Sequence, residues 1–320
     1  MNNLKSFQIL DSNDSIAHFR KEFIHMDNEI YMDGNSLGKL PKETEKKLND
    51  VLKNQWGKRL IRSWNENWLD LPKKIAEKYS KLLNVENDEI TIGESTSVRL
   101  YQMIHSLLST GIYPKQLGTD NLNFPTDVYI MEGINKSFSL PKMNLISYNQ
   151  EIEADLNLLK EQIKTKPGIY CLSLVTYKSS FLYPMKDLNL WAEKFNSIIV
   201  WDLSHAIGAV NIDLKKTETK VSIGCSYKYM NGGPGSPAVM YIEKKLQKKL
   251  FNPIQGWFGH KNPFDFDSKY IPKVGINRFS SGTPPILSLF AMETGIDITL
   301  KAGIKSIRKK SILQTKLFIN

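Results

Sequence analysis

The stretch that decides the fold is Trp201-Asp202-Leu203-Ser204-His205-Ala206, which is followed further along the chain by Ser226-Tyr227-Lys228-Tyr229. The residues before it, Ser197 to Trp201, are apolar and β-branched. They predict a buried parallel strand whose carboxyl end presents Asp202 and His205. Open α/β sheets bind their ligands at that edge. The pattern therefore predicts an α/β fold with a ligand site directly after this strand.

Asp202, His205 and Lys228 have the three side chains that a pyridinium cofactor needs. A carboxylate pairs with the ring nitrogen, an imidazole face covers the ring, and a lysine amine forms a Schiff base with the cofactor's aldehyde. After Lys228, the run Met230-Asn-Gly-Gly-Pro-Gly-Ser236 has small residues that allow close backbone approach and are able to cradle a phosphate. These residues predict a pyridoxal phosphate (PLP) site with Lys228 as the covalent anchor.

Four further motifs are spread along the chain. They are Tyr31-Met-Asp-Gly-Asn-Ser-Leu-Gly38, Phe124-Pro-Thr-Asp127, Gly256-Trp-Phe-Gly-His260 and Gly282-Thr-Pro-Pro-Ile-Leu-Ser-Leu289. These motifs, in this order, make the chain resemble the kynureninases over nearly its whole length. Several motifs in the right order are a much stronger signal than a single motif. The resemblance implies the fold-type I PLP-dependent transferase-like fold, which has a mostly parallel central sheet with helices on both faces.

The resemblance also implies an activity, a hydrolase reaction on a carbon–carbon bond. Kynureninases hydrolyse L-kynurenine, and in some cases 3-hydroxykynurenine, to anthranilate or 3-hydroxyanthranilate and L-alanine, in tryptophan catabolism by the kynurenine pathway and in NAD biosynthesis. In such an enzyme Lys228 would hold the cofactor and remove the Cα proton. Asp202 would keep the ring nitrogen protonated, and Tyr227 would relay a proton when the bond breaks.

The remaining cofactor contacts combine the resemblance with side-chain chemistry. Thr96 and Ser97 open a predicted helix, where hydroxyls and free amides are suited to phosphate. The resemblance implies that Phe124 stacks on the ring, Asp127 lies beneath it and Ser173 lies near the ring oxygen. The predicted cofactor-binding residues are Thr96, Ser97, Phe124, Pro125, Thr126, Asp127, Ser173, Asp202, His205, Tyr227, Lys228, Trp257 and Thr283.

By the same resemblance, Trp257 and Thr283 contact the phosphate across a dimer interface, so we expect a homodimer with shared sites. Their indole N–H and hydroxyl groups are donors suited to a dianion. Trp64, His260 and the loop from Ser281 to Thr283 are expected to shape the aryl end of the substrate pocket.

Composition favours a large cytoplasmic enzyme over other classes. The chain has 320 residues, of which 41% are hydrophobic, and it lacks both a long apolar run and a signal-peptide start. The formal net charge is +10, but only six of the 43 basic residues are arginine, the usual reader of phosphate and guanine, so a nucleic-acid partner is disfavoured. Cys171 and Cys225 lie in apolar contexts and predict core thiols rather than a metal site or a disulfide.

Three regions are predicted along the chain: an N-terminal segment (1–60), a large PLP-binding α/β domain (61–290) and the start of a C-terminal small domain (291–320) that is expected to be truncated. Helices are predicted at Pro41–Gln55, Leu71–Leu83, Ser95–Leu108, Asp187–Phe195 and Leu300–Phe318. Strands are predicted at Val128–Met131, Gly168–Leu174 and Ile198–Trp201.

Two departures from the kynureninase pattern bear on activity. Arg99 stands where an asparagine is usual, and Lys178 stands where the family has an arginine, which loses a planar fork. Family members fix the substrate carboxylate with an arginine of the small domain, so we expect the chain as written to bind PLP but to be impaired with kynurenine. The alternatives are another fold-type I PLP lyase or aminotransferase, and a truncated non-catalytic PLP-binding relative.

Overall fold

The computed structural model describes residues 2–319 of the chain. The strands are β1 Ile90–Gly93, β2 Leu117–Asp120, β3 Asn144–Ile146, β4 Ile169–Ser173, β5 Ile198–Asp202, β6 Val221–Gly224 and β7 Ala238–Ile242. The α-helices are α1 Asn2–Ser12, α2 Lys42–Asp50, α3 Leu71–Leu83, α4 Thr96–Thr110, α5 Pro125–Ser137, α6 Leu156–Thr165, α7 Met185–Lys194, α8 Lys244–Gln247, α9 Ile286–Ala302 and α10 Ile304–Ile319.

The seven strands form one sheet in the order β1-β7-β6-β5-β4-β2-β3. β7 pairs antiparallel with β1 and β6, and all other neighbours are parallel. In the central strands β4 and β5 every residue is buried, as strands covered on both faces require. The predicted mostly parallel α/β sheet is confirmed.

Two hydrophobic clusters lie on opposite faces of this sheet. One joins α3, α6, α7 and α9 to the sheet and contains Ile75, Leu159, Leu188 and Met292. The other joins α4 and α5 to the sheet around Leu107. Helices therefore cover both faces, as the fold-type I arrangement requires, and they leave the carboxyl ends of the parallel strands as the edge where loops can build a site.

Most of the predicted elements are present. The structure confirms the helix Leu71–Leu83 without change, and it confirms the predicted helices at 95–108 and 187–195 and the strands at 168–174 and 198–201 to within a few residues. The helix predicted from Pro41 ends as an α-helix at Asp50 and continues in π-helical turns over Val51–Arg59. The domain boundaries at 60 and 290 stay a prediction.

The strand predicted at Val128–Met131 is wrong, because these residues lie inside α5. Pro125 occupies the first turn, where its fixed φ favours a helix, and Asp127 places a negative charge at the amino end of the helix dipole. Met131 and Ile134 are three residues apart and bury one helical face. These helix start signals and the packing of the helix outweigh the strand preference of the short β-branched run.

The helix predicted from Leu300 to Phe318 is interrupted. Gly303 has a φ of +78°, so α9 ends at Ala302 and α10 begins at Ile304. Glycine takes this left-handed backbone conformation without the cost that a side chain would add, which explains the break. Among residues 2–319, no helix has both the length and the apolar character that crossing a bilayer demands.

Candidate active site

The carboxyl ends of β4 and β5 bring two predicted site residues together. The register of the parallel pair places Ser173, the last residue of β4, beside Asp202, the last residue of β5. β6 runs parallel on the other side of β5 and ends at Gly224, so the loop that follows it carries Lys228 over the same edge. The sheet therefore assembles residues that are 55 positions apart in sequence, counted from Ser173 to Lys228.

Asp202 and Asp127 form a pair of buried carboxyl groups at this edge. Ser204 donates to Asp202 Oδ1 from its backbone amide at 2.9 Å and from its hydroxyl at 2.6 Å. Burial raises the pKa of Asp202, while the Ser204 donors and the charge of Lys228 oppose the rise. Burial, and then the charge of Asp202, raise the pKa of Asp127 well above its usual range. Asp202 is therefore the member of the pair that keeps the negative charge.

His205 and Tyr227 stay uncharged near neutral pH. Burial, followed by the charge of Lys228, lowers the pKa of His205 to about 4, so its imidazole is neutral. Burial, followed by Cys225, raises the pKa of Tyr227, which leaves a phenol able to donate or accept a proton. Lys228 Nζ lies 5.2 Å from the centroid of the Tyr227 ring. His205, Tyr227 and Lys228, which were predicted as stacking or catalytic groups, thus lie at the same edge of the sheet.

Two buried polar atoms in this group have no hydrogen-bond partner within the described residues. They are Asp127 Oδ2 and His205 Nδ1. Buried polar atoms are almost always paired, and unpaired ones mark a site whose partner is a ligand or water. The charged Asp202 beside Asp127 suits a protonated ring nitrogen, and the neutral imidazole of His205 suits the face of a planar aromatic ring. The residues present therefore fit a pyridinium cofactor.

The backbone around Lys228 is held by the N-terminal segment. Gly38 donates its amide to the carbonyl of Tyr227 at 2.8 Å. A Cβ at Gly38 would lie 2.3 Å from the carbonyl oxygen of Lys228, so no other residue fits without displacing one of the two segments. On the downstream side, the Ser226 hydroxyl donates to the carbonyl of Pro237 at 2.6 Å. The anchor lysine is thus on a loop fixed from both sides.

Thr96 and Ser97 form the first turn of α4, as predicted. Ser95 caps the helix, and its hydroxyl accepts from the amide of Val98 at 3.3 Å. The amides of Thr96 and Ser97 precede any intrahelical acceptor, so they and the two hydroxyls remain available to an anion. The first turn of α4 therefore has the donors that the predicted phosphate contact requires.

Phe124 caps α5, and Pro125 and Thr126 follow in its first turn. The Phe124 ring is 38% exposed and meets the edge of Tyr177, with ring centroids 5.3 Å apart. One of its faces is therefore open to a stacking partner. The same turn directs Asp127 into the buried pair with Asp202.

Trp257 and Thr283 lie on two loops that adjoin each other. Trp257 starts a 3-10 turn, and the next residue, Phe258, donates its amide to the carbonyl of Ser281 at 3.2 Å, which brings the two predicted donors onto adjoining loops. Thr283 is exposed, and it lines a cavity of about 260 Å³ together with the residues just before α4. No hydrogen bond, ion pair or aromatic contact in residues 2–319 joins either residue to Lys228. Their role at the site of a second copy stays a prediction.

Arg99 is fully buried and ties α4 to the loop before Thr283. Its guanidinium donates to the carbonyls of Gly93 at 3.0 Å and Phe279 at 2.7 Å, and to the side chain of Gln102 at 3.0 Å. Burial lowers its pKa to about 10. Arg99 therefore acts here as an internal brace, and its Nη2 lacks a partner among the described residues.

The remaining expected pocket residues have mixed surroundings. Trp64 lies against Phe258, with ring centroids 6.3 Å apart. Both ring nitrogens of His260 lie within hydrogen-bond distance of backbone carbonyls, those of Asn262 at 2.9 Å and Lys269 at 3.2 Å, so this residue supports its loop. Lys178 lies at the surface in an ion pair with Glu151.

Two residues that matter to the site were missed in the sequence. Ser204 fixes Asp202, and its position two residues after an aspartate is typical of an Asx turn, which gave a usable signal. Asn123 bonds to both Phe124 and Ser173, but it lies just outside the motif that begins at Phe124. No local pattern marks it, because its partners come from another strand.

The mostly parallel sheet, Lys228 and the buried Asp202 are the features of a class of PLP-dependent proteins, the class-V aminotransferases. The sequence profile described as Aminotransferase class-V matches residues 30–319. Solved structures agree on the fold: an apo cysteine desulfurase from Thermococcus onnurineus NA1 superposes with a TM-score of 0.77 at 17% identity, covering 93% of this chain and 75% of that one. A C-DES mutant with glycine linked to its PLP cofactor gives 0.80 at 15% identity, covering 92% and 77%.

Within that class, the sequence relatives are more specific. The chain is 34% identical to a kynureninase of Pseudomonas fluorescens over 315 residues, which are 97% of this chain and 74% of the relative. It is 32% identical to a kynureninase of Burkholderia pseudomallei strain K96243, with the same coverage. The chain belongs to the kynureninase family of class-V aminotransferase-like proteins.

Proposed function

We propose that this chain hydrolyses L-kynurenine to anthranilate and L-alanine with PLP as its cofactor, as a step of tryptophan catabolism. The observation that carries the proposal is the convergence of Lys228, Asp202 and His205 at one sheet edge. The kynureninase similarity over 97% of the chain supports the choice of substrate. 3-Hydroxykynurenine is the second substrate that the proposal includes.

Different residues of the site would bind different parts of the cofactor. The first turn of α4, with Thr96 and Ser97, would bind the phosphate, and Lys228 would hold the aldehyde carbon. His205 and Phe124 would cover the ring, because one is a neutral imidazole and the other an exposed aromatic face. Asp202 would pair with the ring nitrogen and keep it protonated, because Ser204 stabilises its charged form.

The chemistry requires the removal of a proton at the substrate's Cα and the breaking of the bond from Cβ to the aryl carbonyl carbon. When bound, PLP supplies an electron-withdrawing ring beside Cα. Lys228 Nζ moves the Cα proton, since it is the amine next to the reacting carbon. The Tyr227 phenol is the donor that returns a proton to Cβ as the bond breaks. Water adds its hydroxyl to the carbonyl carbon, which becomes the carboxyl carbon of anthranilate, and the second water proton replaces the one that Tyr227 gave to Cβ. Cβ becomes the methyl group of alanine, and Lys228 Nζ returns the proton to Cα.

We further propose that the working enzyme is a homodimer in which Trp257 and Thr283 serve the phosphate of the second copy. The support is that, within residues 2–319, neither side chain bonds to Lys228, and that the two lie on adjoining loops held together by Phe258 and Ser281. A half-buried indole and an exposed hydroxyl are donors available to an anion on a neighbouring chain.

A cysteine desulfurase activity is the main alternative, because solved structures of that class share the fold. That reaction needs an accessible cysteine thiolate. Both cysteines of this chain are buried, and burial raises the pKa of Cys225 to about 11 and that of Cys171 well above its usual range. Neither is suited to act as a nucleophile on a bound substrate.

The direct test is product analysis with PLP and either L-kynurenine or L-cysteine. We expect anthranilate fluorescence and alanine in equal amounts from kynurenine, and no alanine or sulfide from cysteine. A Lys228→Ala variant is the control and should form no anthranilate. Sulfide from cysteine, with no anthranilate from kynurenine, would replace this proposal with the alternative.

A further inference from the structure

Asn123 connects two of the predicted cofactor contacts. Its Oδ1 accepts the backbone amide of Phe124 at 2.9 Å and the hydroxyl of Ser173 at 2.5 Å. Its Nδ2 donates to Thr119 Oγ1 at 3.1 Å and to the carbonyl of Cys171 at 3.2 Å. The side chain is buried, so its amide has partners on both its oxygen and its nitrogen and is anchored to β2 and β4.

The orientation of this amide follows from its partners. The atom that faces the Phe124 amide must be an acceptor, because a backbone N–H only donates. The same oxygen therefore faces Ser173, and a hydroxyl this close to an acceptor oxygen must donate its single proton to it. The Ser173 hydroxyl then has only lone pairs to offer on its remaining side.

We propose that Asn123 is a positioning residue of the cofactor site, which fixes Phe124 and holds the Ser173 proton so that Ser173 meets the cofactor only as a hydrogen-bond acceptor. This inference rests on the proposed function, in which Ser173 lies near the ring oxygen. A group that meets an acceptor must carry a proton, so the arrangement favours the protonated ring oxygen over the ionised one.

The two substitutions nearest to asparagine in this argument, aspartate and alanine, would each lose part of this hydrogen-bond arrangement. Aspartate keeps the acceptors but has no donor for Thr119 and the Cys171 carbonyl. Alanine releases the Ser173 hydroxyl, which can then turn and donate to the cofactor. The variants below leave the titratable groups at this edge unchanged. They are Asp127, Asp202, His205, Tyr227, Lys228, Cys171 and Cys225.

The test is a double-mutant cycle on the PLP-loaded full chain, read from the near-ultraviolet and visible bands of the bound cofactor at several pH values. In Asn123→Ala we expect the ratio of ionised to protonated ring oxygen to rise about fivefold, the effect of one gained hydrogen bond. In the Ser173→Ala background, the same change at Asn123 should leave the ratio unmoved. Asn121→Ala is the matched control, since among residues 2–319 that side-chain amide bonds only to the backbone of Tyr148.

A shift of equal size with and without the Ser173 hydroxyl, or no shift at all, would overturn the inference while leaving PLP binding intact. A wild-type chain that binds no PLP would overturn the proposed function and this inference together. If Asn123→Ala does not fold, Asn123→Ser takes its place, because its shorter side chain retains a polar group for the loop but does not extend to Ser173.

Discussion

Replacing Asp202 with asparagine separates catalysis from folding. The introduced amide would keep an oxygen to accept from Ser204, so the turn after β5 remains satisfied. The variant also removes one of two buried carboxyls that raise each other's cost of ionisation, so the apo protein should be as stable as wild type or more so. The ring nitrogen, by contrast, loses the charge that keeps it protonated.

The loss of activity can be bounded from the surroundings of Asp202. Truncating one partner of a buried hydrogen-bonded charge pair costs about 2 to 5 kcal/mol. If the same free energy is added to the activation barrier, kcat falls by about 30-fold to 5,000-fold. The assay is anthranilate fluorescence under saturating PLP, with thermal unfolding of the apo protein measured in parallel.

The matched control is Asp120→Asn, which changes a carboxyl of similar burial at the end of β2 that Tyr183 holds at 2.6 Å, away from Lys228. We expect its kcat to stay within about threefold of wild type, because its carboxyl bonds to the Tyr148 and Tyr183 hydroxyls and not to Asp202, His205 or Lys228. If Asp202→Asn keeps wild-type turnover, the carboxylate that serves the ring nitrogen lies elsewhere and the site assignment is wrong.

Three further predictions concern the support of the site. Gly38→Ala should displace the N-terminal segment from Lys228 and weaken PLP binding by about tenfold or more, about 1.4 kcal/mol, measured by equilibrium titration of cofactor absorbance. Burial raises the pKa of Asp120 to about 6, above its unfolded value of 3.8, so its contribution to stability is present below about pH 4 and lost as the pH rises through about 6. Urea unfolding at about pH 5 and 7 should therefore show a smaller loss of stability with pH in Asp120→Asn than in wild type, while Asp127 and Asp202 still contribute in both. Arg99→Asn removes the brace to Phe279 and should lower the unfolding free energy by about 1 to 3 kcal/mol; an unchanged denaturation midpoint would show that the brace is not needed.

The part of the account that could be predicted from sequence is the part with local patterns. The apolar run before Asp202 predicted a buried strand, which the structure confirms, and a carboxylate, an imidazole and a lysine in that order indicated the cofactor chemistry. The two strands that carry Ser173 and Asp202 were predicted, and the structure supplied the register that places these residues side by side. Motif order then narrowed the class to the kynureninases, and the sequence relatives agree.

The part that could not be predicted depends on contacts between distant segments. Val128 to Met131 has the composition of a strand but becomes helical because Pro125 starts a helix that packs on the sheet. Arg99 was expected to affect substrate binding. Its guanidinium instead donates hydrogen bonds to backbone carbonyls, one of which lies 180 residues away in sequence. Asn123 shows the same limit, since three of its side-chain hydrogen bonds go to Thr119 of β2 and to Cys171 and Ser173 of β4.

The most direct test of the central claim is the identity of the lysine that bonds to PLP. The PLP-loaded chain is reduced with borohydride, digested and mapped by mass spectrometry, with the Lys228→Ala chain treated alongside. We predict one pyridoxyl group per chain, located on the peptide that contains Lys228, and none at that level in the variant. A pyridoxyl group on any other lysine, or equal labelling of the Lys228→Ala chain, would contradict the account.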